Sequence, residues 1–452
     1  TVLNSMSNKL LLIKNGKIIT SYGIFDNTDI LIDNGKIKAI GKNISNDGSD
    51  VIDANGMFVF PGVVDIHVHI YDTGDIYEGT KEALLGGVTT VIDMPPTEPQ
   101  IMDETSFNKK INDFESNTSV DFGLCAGEIY YDKHIENIKK LQELGAAYFK
   151  IFMPGPPAVT DDVIYKSLES AVKSGATIAI HAENMDIVNL FIERVKKSGR
   201  KNPIAHFESR PKIAEITAIQ NSIVYAKVTN AHAHICHLTS AEAVDLISNA
   251  QKEDIKVTAE TCPHYLVFTE EDINDKGPSL KMIPPIRKKS DQERLWRGIE
   301  RGIINVITTD HCSFTKSEKD KWKNDIWGAP SGISGLQISF PVMYTEFLKR
   351  GLPLTRLVQV MSTYPARIFH LGHRKGDIRI GMDADIIIFN PNRKWIVSDE
   401  TIHGESDYRA YYGKRLEGTI ETVVIRGEVA LQDREITIKK GFGSFIKAEY
   451  LD

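Results

Sequence analysis

With 452 residues, 41% hydrophobic and 25% charged, the chain has room for a large globular domain and a smaller one, and the composition argues against a disordered or membrane class. A formal net charge of -7 without a long basic block argues against nucleic acid or an anionic membrane as partner. The four cysteines, Cys125, Cys236, Cys262 and Cys312, form no C-x-x-C pair, which argues against a disulfide framework or a thiolate zinc site and fits a reducing, cytoplasmic setting.

In chain order, "TVLNSMSN" carries no signal, and the apolar stretch after it, "KLLLIKNGKII", is too short and too charged for a signal segment or a span. Residues 1–60 hold three β-rich runs, each with an Asn-Gly pair: "KLLLIKNGKIIT", "TDILIDNGKIKAIG" and "SDVIDANGMFVF". Asn-Gly between alternating apolar residues predicts hairpins, hence a small antiparallel unit. Residues 374–452 repeat that texture in "GMDADIIIFNP", "GTIETVVIRGEVAL" and "REITIKKG", so the two ends are expected to combine into one β-sandwich.

Across residues 61–373, eight apolar runs alternate with helical segments: "VVDIHVHI", "TTVIDMP", "VDFGLCAGEI", "YFKIFM", "ATIAIHAEN", "AHAHICHLTS", "KVTAETCPHYL" and "NVITTDHC". Eight βα units over about 300 residues predict an α/β fold built on a (β/α)8 TIM barrel, with the active site at the C-terminal ends of the strands.

Those strand ends are rich in ligand-type side chains. In the first run His67 and His69 lie two residues apart, so a strand points both imidazoles to one face. His181, His237 and Asp310 end the fifth, sixth and eighth runs, where an unpaired polar group costs about 1–3 kcal/mol. Taken singly, each is more often a satisfied core residue or a helix cap. Five of them at one end of one barrel point to a metal site. Imidazole and carboxylate donors without thiolate suit Zn²⁺ first, with Fe, Co, Mn or Ni as other occupants. Four histidines and an aspartate exceed what one open catalytic zinc uses, so two divalent ions fit better and need a bridging anion. The fourth run offers only Lys150. A lysine there pairs with a carboxylate, snorkels to the mouth, or reacts with carbon dioxide to a carbamate whose two oxygens serve two metals; the surrounding ligands favour the carbamate.

Taken together, "PGVVDIHVHI", "YFKIFM", "HAEN", "CHLTS", "TTDHC" and "GDIRIGMDADIIIFNP" resemble the cyclic amidohydrolases of the amidohydrolase superfamily, the group of dihydropyrimidinases or hydantoinases, allantoinases and dihydroorotases. The resemblance spans nearly the whole chain. It implies a barrel with a composite β-sandwich and a homotetramer or homodimer. It assigns His67, His69 and Asp310 to one metal, His181 and His237 to the other, and a carboxylated Lys150 to the bridge. It also implies that Asp310 takes a proton from the attacking water and returns it to the leaving nitrogen of a small cyclic amide or ureide.

Within that group, "EGTKEALLGGVTTVIDMP", "SRPKIAEITAI", "AHICHLTSAEAV", "VTAETCPHYLVFT" and "WGAPSGISGLQ" are most similar to allantoinases, which implies the hydrolysis of allantoin to allantoate. Dihydroorotases carry an arginine where this chain has Tyr71, which disfavours dihydroorotate. Hydantoinases carry a tyrosine where it has Gly155, and commonly a serine where it has Ile283. Backbone groups near Ile283 and Gly332 are candidates for holding the ureide edge of the substrate, and His264 faces substrate, supports a ligand, or is structural. Two other readings are a one-metal deaminase of the same superfamily, opposed by Lys150, and a hydantoinase-like scaffold without activity, opposed by the complete ligand set.

Overall fold

The computed structural model describes residues 10–45 and 48–450; the octapeptide "TVLNSMSN" lies outside them. The described chain opens with β1 (Leu10–Ile19), in which Leu11, Leu12 and Ile13 are all buried, and β2 (Ile24–Asp33), exposed in its first four residues and largely buried after them, followed by β3 (Lys36–Gly41), β4 (Asp50–Asp53) and β5 (Phe58–Pro61). Only one of the three Asn-Gly pairs makes the predicted hairpin. Asn34 and Gly35, both at positive φ, form the two-residue turn between β2 and β3, with Asp33 paired to Lys36. Asn15-Gly16 instead lies inside β1 at a register shift, where the left-handed Asn15 donates its N–H to Asp29 Oδ1 at 2.9 Å. Asn55-Gly56 joins β4 to β5, and both run parallel to β1. The left-handed backbone that Asn-Gly favours serves bulges and other turns as readily as hairpins.

The barrel follows: β6 (Val63–His69), β7 (Val88–Asp93), β8 (Asp121–Ala126), β9 (Tyr148–Phe152), β10 (Thr177–His181), β11 (His232–Ile235), β12 (Val257–Thr261), β13 (Val306–Ile307) and β14 (His311–Cys312). Each pairs in parallel with its predecessor from β6 to β13, and β14 returns to β6, pairing His311 with Val68. The eight expected runs are all present as strands. The eighth is split, with β13 against β12 and β14 against β6, and Thr308–Asp310 spans the gap. Asp65 on β6 clamps that break, accepting from the Thr308 hydroxyl and, at 3.2 Å, from the Thr309 N–H.

The sequence ends add β15 (Ile386–Ile396), β16 (Arg415–Ile425), β17 (Glu428–Gln432) and β18 (Glu435–Ile436). They extend one hydrogen-bonded sheet in the order β18-β17-β16-β15-β5-β1-β2-β3, with β4 also on β1, so the two chain ends do combine. Its core brings Ile13, Ile18, Ile30 and Ile32 against Ile386, Ile388 and Val424, each contributing roughly 1.5–3 kcal/mol by burial. The tail beyond β18 then covers the barrel's N-terminal end: Phe445 packs on Phe107 and Phe122, and the Tyr450 hydroxyl donates to the Ala146 carbonyl at 2.6 Å.

A buried ion cluster fixes sheet to barrel. Lys375 lies 2.5 Å from Asp121 at the start of β8, 2.7 Å from Asp385 and 3.0 Å from Asp383. Arg426 donates to Asp121 at 3.1 Å and Arg374 lies 2.9 Å from Asp383, so the carboxylates are shared among cations. Burial opposes the charge on Lys375, but the three carboxylates outweigh it and raise its pKa.

Candidate metal centre

At the opposite, C-terminal end of the strands a cavity of about 230 Å³ opens, and His67, His69, Lys150, His181, His237 and Asp310 all line it. Period-two alternation puts His67 and His69 on the barrel side of β6, with ring centres 5.4 Å apart. The His67 ring lies 5.5 Å from that of His237, which lies 4.4 Å from that of His181. Asp310 sits in the break of the eighth strand with φ 49°, and its Oδ1 lies 3.1 Å from His67 Nε2 and 3.3 Å from His69 Nε2. Left-handed backbone is uncommon outside glycine, and here it turns a carboxylate toward two imidazoles.

The donor chemistry fits a cation. Donor atoms of His67, His237 and Asp310 lie within 4.8 Å of one another, all three residues being buried. His237 Nδ1 is buried with no hydrogen-bond partner among the described residues, and an orphaned imidazole nitrogen of this kind costs free energy unless something coordinates it. A second set, His67, Cys236 and Glu260, also has its donor atoms within 4.8 Å.

Three carboxylates not anticipated as functional support the candidate ligands. Glu260 on β12 lies 2.5 Å from His67 Nδ1 and 3.0 Å from His234 Nε2, and accepts the His237 N–H at 3.1 Å. Such a contact fixes the tautomer and leaves His67 Nε2 facing the cavity. Glu183, two residues beyond His181, lies 2.7 Å from His181 Nε2 and is gripped by both Arg210 Nε and Nη2, at 3.0 and 2.8 Å. Asp72 stands 3.4 Å from His69 Nδ1. Asp72 and Glu183, three and two residues beyond His69 and His181, were within reach of a sequence reading, whereas Glu260 stands 193 residues from His67.

Electrostatics divide the site. Burial works against charge on His69, but Asp72 and Asp310 outweigh it and raise its pKa to about 9; Asp310 and Glu260 likewise hold His67 well above its usual value. Burial pushes His181 down to about 4 despite Glu183, and His237 well below the ordinary range. Lys150 Nζ lies 3.2 Å from Cys236 Sγ. Burial disfavours its charge, yet Cys236, Glu260 and Asp310 raise its pKa overall, so the low-pKa amine expected of a buried lysine is not what these neighbours produce. A divalent cation alongside would oppose that proton.

Ile283 lines the cavity, and among the described residues its peptide N–H and C=O make no hydrogen bond. Both peptide groups of Gly332 are engaged: its N–H donates to the Lys281 carbonyl at 2.9 Å and its C=O accepts from Lys319, while neighbouring Ser331 lines the cavity. His264 is buried behind the wall against Tyr265, its ring centre 4.3 Å away, and burial lowers its pKa to about 3. Tyr71 turns away from the cavity to donate to Asp113 Oδ2 at 2.7 Å. At Gly155 (φ 56°) a Cβ would meet the Pro157 carbonyl oxygen at 1.9 Å, so this loop admits no side chain there.

A barrel with histidines, a lysine and an aspartate converging at its mouth is the architecture of a metal-dependent hydrolase. The chain belongs to the amidohydrolase family, whose model matches residues 58–430. It is similar over nearly its whole length to an allantoinase from Enterococcus faecalis (35% identity; 97% of this chain and 99% of the relative) and to a D-hydantoinase from Geobacillus stearothermophilus (32%; 96% of each). Among solved structures, a D-hydantoinase superposes with TM-score 0.92 at 32% identity, covering 97% of this chain and 99% of that one. A dihydropyrimidinase from Brevibacillus agri superposes equally well, TM-score 0.92, at 27% identity over 97% of this chain and 98% of that one.

Proposed function

We propose that this protein is a metal-dependent cyclic amidohydrolase that opens a ring C–N bond, with allantoin, hydrolysed to allantoate, as its substrate. The observation that carries the reading is the convergence of all six candidate ligands, Lys150 included, on one cavity. His67, His69 and Asp310 would hold one divalent ion and His181 and His237 a second, with carboxylated Lys150 between them; zinc suits these donors. When bound, such ions acidify water and polarise a carbonyl oxygen.

The chain's own residues supply the rest. Asp310, whose pKa the neighbouring imidazoles hold well below the usual carboxylate range against the effect of burial, accepts the proton of the attacking water and delivers it to the ring nitrogen as the C–N bond breaks. The unengaged peptide of Ile283 holds the ureide edge of the ring. Glu260 and Glu183 keep His67 and His181 in place. The loop at Gly155 leaves no room for a tyrosine, which counts against hydantoinase or dihydropyrimidinase, although "MPGPPAVTDD" departs from the usual allantoinase stretch as well; Tyr71 supplies no cation for the carboxylate of dihydroorotate.

In this account residues 61–373 form the hydrolase body and 1–60 with 374–452 the β domain, in a cytoplasmic homodimer or homotetramer. Among the described residues, no helix is long and apolar enough to cross a membrane. The test is a hydrolysis panel of allantoin, hydantoin, dihydrouracil and dihydroorotate with metal-loaded protein. Turnover led by allantoin is expected, and turnover of dihydroorotate alone would overturn the ranking.

A further inference from the structure

Beyond the candidate ligands, one charged side chain on the cavity wall has no evident employment. Glu128 lies in the loop after β8 and is 5% exposed. It lines the same cavity as Lys150, His69 and Asp72, on the side of the candidate ligands. The Tyr130 hydroxyl donates to its Oε2, while among the described residues nothing donates to its Oε1. The other lining carboxylates, Asp72 and Asp310, face candidate ligands, and apart from Lys150 the cavity presents no lysine or arginine.

We infer that Glu128 determines specificity, its free oxygen accepting hydrogen bonds from a ring substituent that carries N–H groups, such as a ureido group, and its charge repelling rings that bear a carboxylate. Tyr130 holds one oxygen so that the other is aimed before the substrate arrives, and such pre-organisation keeps the ordering cost of binding low. Once a bound ring seals this oxygen from water, leaving it without a donor is penalised, so a ring lacking the substituent binds less well than one that has it. This inference rests on the cyclic-amide reading but is separable from it, because binding and turnover can be measured independently.

The experiment compares wild type, Glu128→Gln and Glu128→Ala, all metal-loaded, on allantoin, unsubstituted hydantoin and hydantoin-5-acetic acid, following calorimetric binding, turnover and metal content. Wild type is expected to prefer allantoin. Glu128→Ala should lose about 10- to 100-fold in affinity and kcat/KM for allantoin and Glu128→Gln, which keeps one acceptor oxygen, less; neither should lose on hydantoin, and both should accept the acid-bearing ring better than wild type does. Metal content should not change, whereas a carboxylate that merely balanced Lys150 would disturb it. Equal losses on allantoin and hydantoin, or none on either, would overturn the inference. Discrimination in binding that disappears with Glu128, without turnover of any ring, would uphold Glu128 as the recognition residue and sink the hydrolase reading instead.

Discussion

Two buried charge clusters stand at opposite ends of one barrel, and they are built differently. At the N-terminal end Lys375 touches three carboxylates, and Arg374 and Arg426 share the load. At the C-terminal mouth Lys150 has a thiol as its near neighbour, His237 Nδ1 has no partner among the described residues, and Asp310 is turned by left-handed backbone toward two imidazoles. Closed pairing joins two parts of a fold; open pairing leaves capacity for something that binds. The same burial therefore makes the loss of one partner costly at one end and marks a candidate site at the other.

The comparison is sharpest for the two lysines. Lys150→Ala should cost activity by about 100-fold or more, above the 10- to 100-fold usual for groups behind a ligand, with the bound metal largely lost and the melting temperature of the metal-free protein little changed. Lys375→Met should do the reverse. Stranding buried carboxylates at the sheet–barrel joint should cost about 3–5 kcal/mol in denaturant unfolding, while metal content per folded chain stays at the wild-type value. If Lys375→Met lost metal selectively, the division between joint and site would fail.

Between these extremes lies Glu260, a closed group that serves the open site. Glu260→Gln keeps the shape but removes the charge behind His67 and His234, so metal affinity should fall about 10- to 100-fold in competition with a chelator. An unchanged affinity would reduce Glu260 to packing.

The smallest effect concerns Glu82, outside both clusters, which accepts from Ser406 and from Tyr408 at 2.6 and 2.7 Å. Burial raises its pKa from 4.5 to about 7, more than those hydrogen bonds lower it. The folded state therefore holds the proton that the unfolded state releases, and this group's contribution to stability declines as pH rises from 4.5 through 7. From pH 5 to pH 6 the loss should be about 1 kcal/mol, since one pKa unit is worth 1.36 kcal/mol. Glu82→Gln should flatten that slope in unfolding curves, and an unchanged slope would contradict the assignment.

Much of this was legible in the chain because strand periodicity and strand-end chemistry are local. The runs ending in His181 and His237 needed no knowledge of their neighbours, and their common placement followed from counting eight of them. What escaped depends on register across the barrel. Glu260 lies far in sequence from His67, and only the curling of β6 toward β12 brings them together. Glu183 was closer to hand, two residues beyond His181, yet its grip by Arg210 is tertiary. The hairpin reading of Asn15-Gly16 and Asn55-Gly56 failed because a local conformational preference fixes φ but not the path of the chain. Glu128 carried no motif, and only the cavity shows which way its carboxyl faces.

The most direct test of the central claim, that Lys150 turns the open cluster into a two-metal hydrolase centre, is the metal content of the active protein. Wild type prepared with zinc should hold close to two ions per chain, and Lys150→Ala should lose most of its metal and recover metal and activity with short carboxylic acids. A fully active enzyme holding a single ion per chain would contradict it.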